Sequence, residues 1–130
     1  MATISKSWGS DTYIEATDST YTTLSGTTEE YSSDVDLETD GYEGAVVTAE
    51  VDFDATPTDD VIVSVYASLD GSSYDTEPLF SFTIDNGTDP AQVSFVVTDV
   101  PHFRLGIKQT GSTDSHDVRA HYQPWRWQSA

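Results

Sequence analysis

The sequence contains no cysteine. That absence removes disulfide bridges, thiolate-ligated zinc, iron–sulfur clusters and thiol catalysis together, and it suits a chain made in a reducing cytoplasm. Basic residues are nearly as scarce: 5 Lys and Arg stand against 23 Asp and Glu, for a formal net charge of −18. Phosphate backbones are gripped by Lys and Arg, so no direct nucleic-acid partner is expected. No stretch approaches the ~20 apolar residues of a membrane-spanning helix. The segment Met1–Trp8 has no apolar core of signal-peptide length. No membrane partner is expected either.

The few cations are unevenly placed. Residues 1–100 hold one lysine, Lys6, against 21 acids, a net −20; residues 101–130 hold Arg104, Lys108, Arg119 and Arg126 against Asp114 and Asp117, a net +2. Such a chain repels polyanions over most of its surface and is expected to grip something with its C-terminal part, which favours a binding or assembly role over an enzymatic one. Strong charge with 36% hydrophobic residues can also signal disorder. The 7 Tyr, 5 Phe and 3 Trp, together with many valines, argue for a packed core instead.

Apolar residues recur at every second position through most of the chain, and no segment carries a helical period. Gly44–Phe53 alternates Ala45, Val47, Ala49, Val51 and Phe53 with Val46, Thr48, Glu50 and Asp52, as a strand with one buried and one wet face does. Val61–Ser68, Leu79–Ile84, Val93–Val97, His102–Lys108 and Val118–Tyr122 repeat the pattern, and weaker strands are expected at Thr12–Ala16 and Tyr31–Leu37. Turn residues separate them. Asp70-Gly71 and Asn86-Gly87 read as hairpin turns, and Pro124 is expected to end the last ladder. About eight short strands at such spacing describe an all-β chain, an antiparallel β-sandwich that is jelly-roll-like. Residues 1–30, rich in Ser and Thr, read as an N-terminal arm or edge strand, and residues 31–130 as the β-sandwich domain.

No catalytic constellation stands out. Acids are everywhere, so no carboxylate pair is specific, and no Gly-x-Ser-x-Gly elbow is present. The run Asp34-Val-Asp-Leu-Glu-Thr-Asp-Gly41 has alternating acids, but its glycine is eighth and position twelve is Ala45, so it misses the spacing of a calcium loop; a solvated strand edge is expected. Asp52, Asp54, Asp59 and Asp60 form a second acidic cluster. His102, His116 and His121 lack zinc-ligand spacing and are expected at the surface or an interface. No cofactor, metal or catalytic residue is expected. The C-terminal run Asp117–Gln128 is more pointed, because Trp125-Arg126-Trp127 combines the residue types that dominate interface hot spots. One tryptophan could plug the sandwich while the other lies on the surface, or both could serve an interface. The expected interface residues are Trp8, Tyr13, Arg104, Lys108, Arg119, His121, Tyr122, Trp125, Arg126 and Trp127.

Gly41-Tyr-Glu-Gly-Ala-Val-Val-Thr-Ala-Glu-Val51, Val63–Gly71, Pro101-His-Phe-Arg-Leu-Gly106 and the ending Tyr122-Gln-Pro-Trp-Arg-Trp127 resemble the small β-sandwich virion proteins of tailed bacteriophages. The resemblance covers about residues 35–127 and implies a structural virion protein of the capsid decoration or cement type. Its partners would be the major capsid protein or other virion proteins, with homo-oligomers, trimers among them. It also implies a location in the virion after synthesis in the host bacterial cytoplasm. The alternative is a carbohydrate-binding module of a tail or fibre, since exposed Trp and Tyr on a sandwich stack on sugars. Adaptation to high salt is a separate reading of the charge.

Overall fold

A computed structural model describes residues 4–9, 12–13 and 21–129. Its elements are β1 (Ile4–Trp8), β2 (Thr12–Tyr13), β3 (Thr22–Thr23), β4 (Glu30–Tyr31), β5 (Val35–Asp36), β6 (Gly44–Asp52), β7 (Val61–Ser68), β8 (Phe80–Ile84), β9 (Ala91–Thr98), β10 (His102–Gln109) and β11 (Asp117–Ser129). No helix occurs among the described residues. The alternation in the sequence becomes the two faces of each strand. In β6, Ala45, Val47, Ala49 and Val51 are buried, while Val46, Thr48 and Glu50 on the other face are partly exposed.

The strands form two antiparallel sheets. The first runs β1–β11–β6–β9, and β2 and β3 also pair with β11. The second runs β4–β10–β7–β8, with β5 also on β10. β1, β2 and β3 follow one another down the same side of β11, opposite Ser129–Trp125, Tyr122–His121 and Val118–Asp117 in turn. They fill one strand position between them, as β4 and β5 do beside β10. Each sheet is thus four positions wide. Apart from the β7–β8 connection, every link between the longer strands changes sheet, which is the winding of a jelly roll. The expected all-β sandwich is the observed fold.

Between the sheets lie Val35, Leu37, Val47, Val51, Val61, Val63, Val65, Phe103 and Leu105, all essentially inaccessible to solvent. Each such side chain contributes roughly 1.5–3 kcal/mol relative to exposure. Leu24 also belongs to this core, so the first thirty residues contribute to it. Phe80, Phe82, Val93 and Phe95 pack against the core but stay half-buried along one lateral side.

Three local expectations need correction. Asn86-Gly87 is not a hairpin turn, because β8 and β9 belong to different sheets and the segment carries the chain across the sandwich. The expected strand at Tyr31–Leu37 is two short segments, β4 and β5, because the register on β10 slips by one residue between Tyr31↔Gly106 and Asp36↔His102. Pro124 does not end the ladder; β11 runs on to Ser129. Pro124 falls where the outer neighbour changes from β2 to β1, so its missing N–H leaves no strand partner unserved, and its carbonyl still accepts from the Gly9 N–H at 2.8 Å. Of the strand expected at Thr12–Ala16, Thr12–Tyr13 is observed, and residues 14–16 lie outside the described residues.

Candidate interaction surfaces

The outer face of the first sheet is built by register. Gly44, Val46, Thr48 and Glu50 of β6 sit beside Trp125, Gln123, His121 and Arg119 of β11 and beside Thr98, Val96, Ser94 and Gln92 of β9. On the other side of β11, Lys6 and Trp8 of β1 lie opposite Trp127 and Trp125. Trp8 and Trp127 are about half exposed, at 47% and 53%, and so is Val96 at 54%. Trp125 points to the same face yet is 8% exposed. The Lys6 ammonium lies 4.4 Å from its ring centroid and the Trp127 ring stands edge-on at 5.2 Å. Gly44 leaves the indole its room, since a Cβ there would stand 3.0 Å from Trp125 Nε1 and 2.8 Å from the Val97 carbonyl. Lys6 is also 5.7 Å from the Trp8 ring and 5.8 Å from the Trp127 ring, so one cation organises three indoles.

Charge is nearly absent from these positions. They carry Lys6, Arg119 and Glu50, and Arg119 Nε donates to Glu50 Oε2 at 2.7 Å. The Arg119 guanidinium also stacks on Tyr21, 4.4 Å from the ring centroid. Only at the far end do Asp52 and Asp117 face each other across the ladder. On a chain of net charge −18 this face is a neutral, aromatic-bearing strip.

The outer face of the second sheet is polar. Arg104 of β10 is clamped between two tyrosine rings, Tyr31 at 4.0 Å and Tyr74 at 4.2 Å from the guanidinium carbon. Tyr66 donates to Glu29 Oε1 at 2.9 Å. The Tyr74 hydroxyl donates to Asp34 Oδ1 at 2.7 Å. Desolvation first, and then that carboxylate, push the Tyr74 phenol up to about 12. Asp34 Oδ2 meets His102 Nδ1 at 2.8 Å, with Glu38 3.4 Å from Nε2. The His102 pKa is raised, chiefly by the Asp34 hydrogen bond, which outweighs the opposing effect of desolvation, with the charges of Asp34, Asp36 and Glu38 adding to the rise. Gly71 has a φ of 77°. A Cβ there would stand 2.9 Å from His102 Nδ1, so glycine serves both the turn and the close approach. The alternating acids expected as a solvated edge therefore fasten the loop after β7 to β10.

A third polar group lies inside. His116 is fully buried, not at the surface as expected. Its Nδ1 accepts from the Asp54 N–H at 3.1 Å, so the proton sits on Nε2, which donates to the Asp59 carbonyl at 2.8 Å. Phe53 packs edge-on against the imidazole with centroids 4.7 Å apart. Asp59 and Asp114 bind each other's backbones reciprocally. Asp114 Oδ2 accepts from the Thr58 and Asp59 N–H groups at 2.7 Å each, and Asp59 Oδ2 from Thr113 and Asp114 at 3.0 and 2.9 Å. Gln109, 1% exposed, donates to the Asp114 carbonyl at 2.7 Å and accepts from the His116 N–H at 2.7 Å. The four side chains lock the loop before β7 to the loop before β11. Among the described residues no cluster of His, Asp and Glu has the arrangement of a metal site.

The ten residues singled out from the sequence do not form one patch. Trp8, Arg119, His121, Trp125 and Trp127 share the outer face of the first sheet. Tyr13 pairs with His121 in register, and its side chain lies outside the described residues. Tyr122 turns inward against the core. Arg126 sits beyond the sandwich edge, its Nη1 donating to the Asp40 carbonyl at 3.0 Å. Arg104 and Lys108 are on the outer face of the opposite sheet, because β10 and β11, adjacent in sequence, belong to different sheets. The expected single cationic end is therefore divided. Lys6 and Gly44 were overlooked; the alternation Lys6-Ser-Trp8 was the available signal, since it places the cation and the indole on one face. The Asp59–Asp114 pair had no signal, because 55 residues separate the two carboxylates.

No protein-family model matches this chain, and no curated protein matches it. A solved structure described as Bacillus endospore appendages that form a novel family of disulfide-linked pili is similar to it, with a TM-score of 0.50. The match covers 96% of this chain and 89% of that one at 12% identity. At that identity the likeness shows the fold alone.

Proposed function

We propose that this protein is a non-catalytic structural subunit that docks through the outer face of its first sheet onto a repeating surface. The observation that carries the reading is the neutral strip bearing exposed Trp8 and Trp127 on a body of net charge −18. Elsewhere like charge keeps copies apart and soluble; on this strip apolar and aromatic surface meets a partner without bringing acids together. Many identical weak contacts then hold by avidity. The solved structure it is similar to in fold is described as forming pili, which supports an assembly role. That pilus is described as disulfide-linked, whereas this sequence has no cysteine, so disulfides do not link copies of it. The finer reading is a tailed-phage head decoration or cement protein, partnered by the major capsid protein, resident in the virion and made in the bacterial cytoplasm. It rests on the sequence resemblance over residues 35–127.

Mass spectrometry of purified source particles tests the finer reading: many copies per particle are expected, and its absence overturns it. Binding of wild type and Trp127→Ala to particles stripped of the protein tests the docking face. A second reading, saccharide stacking, is favoured by Trp8 and Trp127 standing on the same face as an open hollow lined by Val46, Thr48, His121, Tyr122 and Gln123. A glycan array decides it, with binding abolished by Trp127→Ala as the expected result.

A further inference from the structure

The lateral edges of the two sheets are protected very differently. Beside β10 the edge is broken into two-residue segments and studded with Glu30 and Asp36, a short, charged, slipped edge that resists pairing. Beside β11 the edge position holds the three short strands β1, β2 and β3 and carries Lys6. At the other side of the first sheet stands β9, an eight-residue strand, Ala-Gln-Val-Ser-Phe-Val-Val-Thr, with no charge and no proline. Among the described residues nothing pairs with its outer side. A long, uncharged edge is what soluble proteins avoid unless something covers it.

The direction of its free hydrogen-bonding groups follows from the ladder. The Asp99 N–H donates to the Glu43 carbonyl at 3.2 Å, one rung beyond the β6–β9 register. Antiparallel rungs alternate between bonded and non-bonded pairs. Val97, Phe95, Val93 and Ala91 therefore exchange bonds with β6, and Gln92, Ser94, Val96 and Thr98 turn their N–H and C=O groups outward. Beside this edge the half-buried Phe95 meets Phe82 and Phe80, with centroids 5.1 and 5.7 Å away. An apolar seam thus lies open next to an unpaired backbone.

We propose that β9 pairs antiparallel with β9 of a second copy of this chain, joining two first sheets into one continuous sheet across a two-fold axis at Phe95. Charge selects the occupant. Two bodies of net charge −18 repel wherever acids face acids, and a charge-free strand lets them approach to the ~4.8 Å spacing of paired strands. The axis at Phe95 is the register in which all four outward residues of each strand find partners, Ser94 with Val96 and Gln92 with Thr98. It also sets the two Phe95 rings against each other on the inner face, completing their burial. Such an isologous contact closes on itself. It leaves the tryptophan-bearing face of both copies pointing the same way, so the dimer offers a doubled docking surface. The inference stands on the edge and not on the virion reading.

Sedimentation of the full chain over a concentration series, with Val96→Pro and with Ser94→Glu plus Val96→Glu, tests it. Proline at 96 removes an outward N–H and leaves the β6 ladder intact. By symmetry the dimer loses two of about eight pairing bonds, so its dissociation constant rises on the order of 10- to 100-fold. The double glutamate variant places acid opposite acid in two pairs and touches only solvent-facing positions, so it covers the case in which the proline variant fails to fold. Wild type at twice the chain mass, with folded monomers for the variants, is the expected result. A wild type that stays monomeric at every concentration, or a dimer that survives in the folded glutamate variant, overturns the proposal. A chain that dimerises in this way yet is absent from every particle sinks the virion reading alone.

Discussion

Replacing His116 with leucine removes the imidazole from a site with no access to water and keeps most of its volume. Two backbone groups lose their partners: the Asp54 N–H, held at 3.1 Å by Nδ1, and the Asp59 carbonyl, held at 2.8 Å by Nε2. A buried polar group left unsatisfied costs roughly 1–3 kcal/mol. Asp54 is only partly buried, and water can reach it, which places its share at the low end. The sum is about 2–4 kcal/mol, since the packing against Phe53 is largely kept. For a chain of this length that corresponds to a fall of roughly 10 °C in Tm. Urea denaturation followed by tryptophan fluorescence reads the change directly, as a lowered midpoint with an unaltered slope. Two further variants separate the bonds: His116→Asn offers a carbonyl near the Nδ1 position, and His116→Gln offers an amide N–H near Nε2. Each is expected to lose less than leucine does. If His116→Leu costs under ~1 kcal/mol, or stabilises the chain, the hydrogen-bonded imidazole is not what joins the two loops and the reasoning fails.

The neighbouring carboxylate gives a pH prediction. The Asp114 pKa is lowered by hydrogen bonds from the Asp59 and Thr58 N–H groups, so its stabilisation is present above the ordinary carboxylate value and is lost as pH falls through the folded-state value. Asp114→Asn is therefore expected to be less stable near neutrality and to lose less than wild type on acidification; equal acid slopes would count against it. His102 has the opposite sign. Its pKa is raised by Asp34, so its contribution is complete below about 6.5 and disappears as pH rises through the folded-state value. Denaturation midpoints of His102→Gln should lack this alkaline decline, and persistence of the decline would assign it to another group. The two C-terminal tryptophans should separate cleanly. Trp125→Ala is expected to destabilise the fold by about 3 kcal/mol, as loss of a buried aromatic does, while Trp127→Ala, which removes a half-exposed ring edge-on to Trp125, costs only about 1 kcal/mol and abolishes docking. Equal effects of the two on stability would contradict the burial described above.

The strands were legible because one physical rule writes them: a sheet with one buried face needs an apolar residue at every second position. Val61, Val63 and Val65 obey it, as do Phe103, Leu105 and Ile107, and all six are buried. The inward set in β6 was likewise readable residue by residue. Boundaries and connections were less so. Asp70-Gly71 does mark a turn between neighbouring strands, whereas Asn86-Gly87, chemically just as suited to a hairpin, lies between strands of different sheets. A turn dipeptide encodes a change of direction, and which sheet receives the next strand depends on core packing that the dipeptide does not sense.

The sequence by itself determined that the chain is all-β, that it is acidic and free of cysteine, and that its cations and tryptophans gather late. Those properties are local or additive, so they survive without coordinates. Only the tertiary structure decided which of these residues act together. It sent Arg104 and Arg119 to opposite faces, brought Lys6 across to Trp125, sank His116 into the core and left β9 as an uncharged edge. The physical reason is that a jelly roll makes nearly all its contacts between strands far apart in the chain. Two-residue periodicity fixes which way each side chain points, and says nothing about which strand lies next to it.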